Sequence, residues 1–167
     1  MSKIITCIWF VNNNGEEAVK YYVDTFNSAP GDHTAEYGDI TKSPKASEDV
    51  SGRPAGSVLT AECEIDGISF MALNGGPYEK FKLNGSTSFI VECETQEEID
   101  YFWEKLSAVP EDEQCGWCTD KFGITWQIVP RILDEMMRDP KKTEAVTAAF
   151  LPMKKIDLGI IQRAGSV

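Results

Sequence analysis

The chain repeats itself. Glu16-Glu17-Ala18-Val19-Lys20-Tyr21-Tyr22 returns as Glu97-Glu98-Ile99-Asp100-Tyr101-Phe102-Trp103, and Gly67-Ile68-Ser69-Phe70-Met71-Ala72-Leu73 returns as Gly123-Ile124-Thr125-Trp126-Gln127-Ile128-Val129. Both pairs keep their order, so one structural module is expected twice. Modules that each leave an apolar face uncovered bury those faces together, and the seam is a natural place for a pocket. The copies differ in length. Glu16 maps onto Glu97 at an offset of 81 and Gly67 onto Gly123 at an offset of 56, so the first copy carries about 25 more residues between helix and hairpin.

Periodicity supplies the elements of each module. Ile4 to Val11 is β-branched and aromatic and reads as a strand. Asn12-Asn13-Asn14-Gly15 is a turn signal, and Glu16 to Phe26 is a helix whose Ala18, Val19, Tyr22, Val23 and Phe26 form an apolar stripe. Residues 29–56, with three prolines, read as a long loop with one short strand near His33 to Ile40. Leu59, Ala61, Cys63 and Ile65 alternate with Glu62 and Glu64, which predicts a strand with a solvated carboxylate face. Asp66-Gly67 predicts a tight hairpin into Ile68 to Leu73. The second copy offers a strand over Thr87 to Cys93, a helix over Gln96 to Leu106, an acidic loop at Pro110 to Gln114, and a hairpin through Phe122-Gly123. Ile132, Leu133, Met136 and Met137 then begin a helical tail, Asp139-Pro140 opens a second helix, and Pro152 ends it.

The fold class expected is α+β: two βαβββ modules forming a curved mixed sheet and cleft, with a helical C-terminal extension. The boundaries are 1–78 for the first module, 83–130 for the second and 131–167 for the extension, all within one structural domain.

Composition excludes several functions. A net charge of -11 repels nucleic-acid backbones and anionic lipid. No run approaches the roughly 20 apolar residues of a membrane helix, and Met1 to Thr6 carries no signal-peptide pattern. Five cysteines, an odd number in mixed surroundings, suit reduced thiols. The expected location is the cytoplasm. Cys115-Gly116-Trp117-Cys118 has redox spacing but enters a strand, not a helix N-terminus, so it reads as two ordinary thiols.

Five words in order carry a resemblance over nearly the whole chain. They are Ile8-Trp9-Phe10 ahead of the first helix, Phe70-Met71-Ala72-Leu73-Asn74-Gly75-Gly76-Pro77, Gln114-Cys115-Gly116-Trp117, Trp126-Gln127-Ile128-Val129-Pro130 and Met153-Lys154-Lys155-Ile156-Asp157. With the doubled pattern they resemble the vicinal oxygen chelate superfamily of glyoxalase I, extradiol dioxygenases and bleomycin-resistance proteins. Within it they resemble the PhnB-like branch often labelled 3-demethylubiquinone-9 3-methyltransferase. The resemblance implies dimerisation, here as a homodimer. In metal-dependent members it implies four inward donors, mostly His and Glu, from the first and last strand of each module.

Carried onto this chain, those positions are Cys7 and Ser88 on the first strands (Thr6 and Thr87 one step earlier) and Met71 and Gln127 on the last. Met, Gln, Ser and Cys are a poor set for Mn, Fe, Ni or Zn, and the single His33 lies in the loop. No metal and no cofactor is expected. Asn74-Gly75-Gly76-Pro77 follows a hairpin strand and precedes no helix, so it reads as a linker and not as a nucleotide-cradling loop. The expected function is small-molecule binding in a cleft lined by Cys7, Trp9, Met71, Ser88, Trp126 and Gln127. The alternatives are an enzyme (a metal-dependent lyase or dioxygenase, or the labelled methyltransferase) and a partner-binding module using Lys141, Lys142, Lys154 and Lys155.

Overall fold

The computed structural model describes residues 4–166. The outer limits at residues 1 and 167, and the first three residues of the signal-peptide reading, lie outside the described residues. The chain divides into two compact units, Met1–Leu83 and Asn84–Val167.

In the first unit the strands are β1 (Thr6–Trp9), β2 (Ala35–Lys42), β3 (Val58–Ile65) and β4 (Ile68–Leu73), with helices α1 (Gly15–Asn27) and α2 (Glu48–Ser51). The sheet order is β1-β4-β3-β2. β1 runs parallel to β4 and the other pairs are antiparallel. The apolar stripe of α1 is buried, as are Ala61, Cys63, Ile65 and Ala72 on the strands it covers. Asp66 and Gly67 both have positive φ, 48° and 79°, the backbone that a two-residue hairpin demands.

The helix start is capped from a distance. Asn14 makes no side-chain cap; Asn74, at the end of β4, accepts from the Gly15 N–H at 2.8 Å and donates to Val58 O at 3.1 Å. That takes one of the four orphan donors at the head of α1. Gly15 is required there, since a Cβ would come within 2.8 Å of Asn74 Oδ1 and 2.9 Å of the Ala72 Cβ.

The segment expected as a long loop is structured. β2 spans eight residues because Asn27 docks it: the amide donates to Ala35 O at 2.8 Å and accepts from Ala35 N at 2.9 Å, like a strand neighbour. Tyr37 Oη then donates to Asp24 at 3.0 Å. Beyond β2, a 3₁₀ turn (Lys45–Ser47) runs into α2, which ends at Gly52 with φ 65°. The buried Arg53 guanidinium donates to Asn74 O, Val58 O and Asn13 Oδ1, pinning the segment to the sheet. Proline content suggested irregularity, and these long-range contacts override it.

The second unit holds β5 (Phe89–Cys93), α3 (Gln96–Leu106), β6 (Trp117–Thr119) and β7 (Thr125–Pro130), in the sheet order β5-β7-β6. β5 is parallel to β7, as β1 is to β4. Thr95 and Glu98 form a capping box on α3, whose Ile99, Phe102 and Leu106 are buried with Val91, Cys93 and Ile128 of the sheet. The architecture is α+β, consistent with two βαβββ modules of which the second lacks a counterpart of β2. The second is the shorter copy, with a 3₁₀ turn (Pro110–Asp112) where the first has β2.

The tail folds as α4 (Ile132–Arg138), α5 (Thr143–Phe150) and α6 (Leu158–Ala164) around Met136, Val146, Ile156 and Ile161. Asp139 and Pro140 form the turn before α5, one turn earlier than its first residue; Asp157 caps α6, accepting from Ile160 N at 2.9 Å. The tail is stitched to the second unit. Cys115 N and Gly116 N donate to Met153 O and Lys154 O at 2.7 and 2.8 Å, and the Gln96 amide binds Ile156 O and Leu158 N. Lys154 pairs with Glu113 at 3.0 Å and Lys155 with Asp100 at 2.5 Å.

Hydrogen bonds from Lys155 and Gln96 hold the Asp100 carboxyl below its ordinary value, and those from Ser107 and Lys154 do the same for Glu113. Depressed carboxylates stabilise the fold above their unfolded pKa, and that contribution is lost as pH falls through the folded one. Both pairs are solvent-exposed and contribute under about 1 kcal/mol each. Hydrogen-exchange protection of the Cys115 and Gly116 amides should therefore fall a few-fold on acidification below the free Asp and Glu values of 3.8 and 4.5, while α3 amides keep theirs.

Candidate functional site

Each sheet covers one face with its helix and leaves the other open. In the first unit, register decides what the open face carries. Cys7 pairs with Met71, and Met71 with Glu62, so thiol, thioether and carboxylate form one row across β1, β4 and β3. The next row is Trp9, Leu73 and Thr60, with Thr60 Oγ1 2.6 Å from Thr41 Oγ1. Cys7, Trp9 and Met71 are thus brought together. Glu62 joins them, half-buried, although alternation alone assigned it to a solvated face. Counting outward from the Asp66-Gly67 turn, Ile65 opposes Ile68, so Glu62 must oppose Met71.

Trp9 is held firmly. Its Nε1 donates to Gly76 O at 3.0 Å, and the ring lies so close over Gly75 that a Cβ there would fall 2.0 Å from the indole. Asn74-Gly75-Gly76-Pro77 is therefore occupied by the chain's own groups: Asn74 caps α1, Gly75 seats the indole and the Gly76 carbonyl binds it.

In the second unit, Gln127 and Ser88 share the open face, with Gln127 Nε2 donating to Ser88 Oγ at 2.8 Å. The ladder nonetheless puts Ile90, not Ser88, opposite Gln127. By register Cys7 corresponds to Ile90, an offset of 83, two residues more than the offset of 81 taken from the helices, so that offset misses the strand register by one side-chain pair. Trp117 lies on the other side of Gln127. Trp126 faces the other way. It is 4% exposed, its Nε1 donates to the buried Asp120 Oδ2 at 2.8 Å, and its ring stands 5.5 Å from Phe89. Neighbours in a strand point to opposite faces, so Trp126 belongs to the helix-covered core and not with Gln127.

The donors do not fit a divalent metal. The first unit's rows offer a thiol, a thioether, one carboxylate and the Thr60 hydroxyl, the second unit's an amide and the Ser88 hydroxyl, and among the described residues no three His, Cys, Asp or Glu side chains cluster as ligands would. His33 Nδ1 lies 2.8 Å from Asp66 Oδ2 at the hairpin. Of the four lysines proposed for partner binding, Lys154 and Lys155 hold the tail and Lys142 lies 3.9 Å from Asp139.

A module of strand, helix and antiparallel strands whose first and last strands run parallel, present twice with the second copy one strand shorter, places the chain in the glyoxalase/bleomycin-resistance type of fold. The family model described as 3-demethylubiquinone-9 3-methyltransferase matches residues 2–129, and the chain belongs to that family. The match ends before the tail and before Met153 to Asp157, one of the words that suggested it. A PhnB protein from Bacillus cereus, itself titled a putative 3-demethylubiquinone-9 3-methyltransferase, is 27% identical with a TM-score of 0.58, over 77% of this chain and 99% of its own. Protein PA1353 from Pseudomonas aeruginosa is similar in fold, at 18% identity and a TM-score of 0.52, over 78% of this chain and 98% of its own. No curated protein matches.

The thiols divide by environment. Burial pushes Cys63 up to about 11, and burial together with nearby carboxylates pushes Cys93 and Cys118 up to about 12. Partial desolvation raises Cys7 as well, although the residue is exposed. Iodoacetamide at pH 8 should modify Cys115 and, more slowly, Cys7, leaving the other three until the chain is unfolded, as read by peptide mass. Gly75→Ala should displace the indole and destabilise the protein by about 1–3 kcal/mol in urea unfolding, with a changed near-UV circular dichroism.

Proposed function

We propose that this chain is a small-molecule-binding protein of the glyoxalase/bleomycin-resistance superfamily that works without a metal, and that the open sheet faces are its binding surfaces. The Gln127–Ser88 hydrogen bond carries this reading. With Nε2 engaged, the amide still offers Oε1 as an acceptor and the serine hydroxyl still offers its proton, a fixed donor–acceptor pair for a polar ligand group. In the first unit, Cys7 and Met71 supply a soft, adaptable apolar surface. The reading includes a homodimer, for which exposed Ile40, Ile68 and Ile90 supply apolar surface. It also includes the cytoplasm, which suits five unpaired cysteines. Among the described residues no helix is long and apolar enough to cross a membrane.

The second reading is an enzyme, and Glu62 favours it. A half-buried carboxylate between Met71 and the rest of the open face is placed to take a proton from a bound substrate. Methyl transfer, which the family description names, gains no support from residues 74–77, since their polar groups and glycines already serve the fold.

Thermal-shift screening of small metabolites tests the first reading. A compound that raises the melting temperature, and loses at least half of that shift in Gln127→Ala, is the expected result. Stoichiometric Mn, Fe, Ni or Zn in protein purified without chelator would replace it with the metal-dependent alternative.

A further inference from the structure

We propose that Trp9, Tyr78 and Phe81 form a stacking site for a planar aromatic compound; this rests on the small-molecule reading and gives the ligand a chemical class. Trp9 is the fixed wall, fastened by the Gly76 carbonyl and seated on Gly75. The other two rings come from the segment after β4. Between Leu73 and Phe89 the one regular element among the described residues is the 3₁₀ turn Glu79–Phe81. Residues three apart in such a turn point the same way, and Phe81 N donates to Tyr78 O at 2.9 Å. Tyr78 and Phe81 therefore project side by side, their centroids 5.1 Å apart and their planes 31° apart. Both lean on the indole, Phe81 at 4.8 Å and Tyr78 at 6.4 Å.

These contacts leave the rings half uncovered: Tyr78 is 50% and Phe81 48% exposed. Adjacent aromatic side chains so exposed form a contiguous apolar patch beside the indole, the kind of surface that serves as a binding site. All three centroid separations lie in the range where aromatic rings attract, and tilts of 31–51° are intermediate between parallel stacking and edge contact. A flat ligand can take the place of Phe81 against the indole, with Phe81 and Tyr78 closing on its other side. The wall belongs to the row of Leu73 and Thr60, next to the row of Cys7, Met71 and Glu62, so the ligand's substituents reach the open face already described.

The test uses the full chain labelled with ¹⁵N and two alcohols of matched size, planar 2-naphthol and saturated decahydro-2-naphthol. The Trp9 indole resonance is identified by its loss in Trp9→Phe. Saturable shifts of that resonance and of amides 75–82 are expected with 2-naphthol, and at least fivefold weaker binding of the saturated alcohol. Tyr78→Leu and Phe81→Leu keep apolar bulk at exposed positions, and each should weaken 2-naphthol by roughly twofold to tenfold. Equal binding of the two alcohols, or unchanged binding in the Tyr78→Leu/Phe81→Leu double variant, overturns the proposal. A metabolite whose thermal shift depends on Gln127, together with a Trp9 resonance that 2-naphthol leaves unshifted, overturns the stacking site and leaves the binding reading standing. Stacking of 2-naphthol with no such metabolite upholds the site and overturns the wider reading.

Discussion

The first unit turns on one buried amide. Asn74 ends β4, and its side chain closes the head of α1 and the carbonyl of Val58, while its own backbone binds Leu59 and receives Arg53. Losing a buried partner costs about 1–3 kcal/mol for each group left unsatisfied, and here helix, sheet and loop would each lose one. The next two residues seat the indole of Trp9. The geometry of the open face thus descends from a residue that never touches it.

The two copies keep the same scaffold and use different chemistry. Both set a parallel pair of strands beside a helix, and both bury the helix stripe against alternate strand residues. The start of the helix differs: a remote asparagine in the first copy, a local Thr95–Glu98 capping box in the second. A local cap needs only a short turn, and this is the two-residue difference that displaced Ser88 from the position opposite Gln127. On the open faces the divergence is larger. Cys7, Met71 and Glu62 in one unit stand against Ile90, Gln127 and Trp117 in the other, so neither face repeats the other's recognition chemistry.

Much of this was legible in the residues. The stripe of α1, the Asp66-Gly67 turn and the run from Gln96 to Leu106 all declare themselves through local periodicity and turn chemistry. β2 showed only as a short strand near His33 to Ile40 within a long loop, because what fixes it is the Asn27 amide and the pairing with β3, which periodicity does not reveal. Trp126 escapes a sequence reading for a related reason: adjacency along a strand suggests proximity to Gln127, yet the pleat separates neighbours, and the buried Asp120 that receives its N–H gives no periodic signal. Glu62 was visible in principle, by counting register out from the hairpin. Tyr78 and Phe81 sit at a single 3₁₀ turn, too short to give a periodic signal in the sequence, and only the folded chain brings them to Trp9.

The tail, which extends beyond the family match, bears on the behaviour of the second sheet among many copies of itself. An edge strand with free backbone groups is a template for pairing with another chain. β6 is such an edge, but Ala108 N already occupies Thr119 O, and the tail carbonyls take the N–H groups of Cys115 and Gly116 just before it. Gly116, at φ 84° and with the Ile128 carbonyl 2.8 Å from where a Cβ would stand, lets the two backbones come that close. The extension thus takes up backbone groups beside β6, whereas among the described residues no strand pairs with β5 on its outer side.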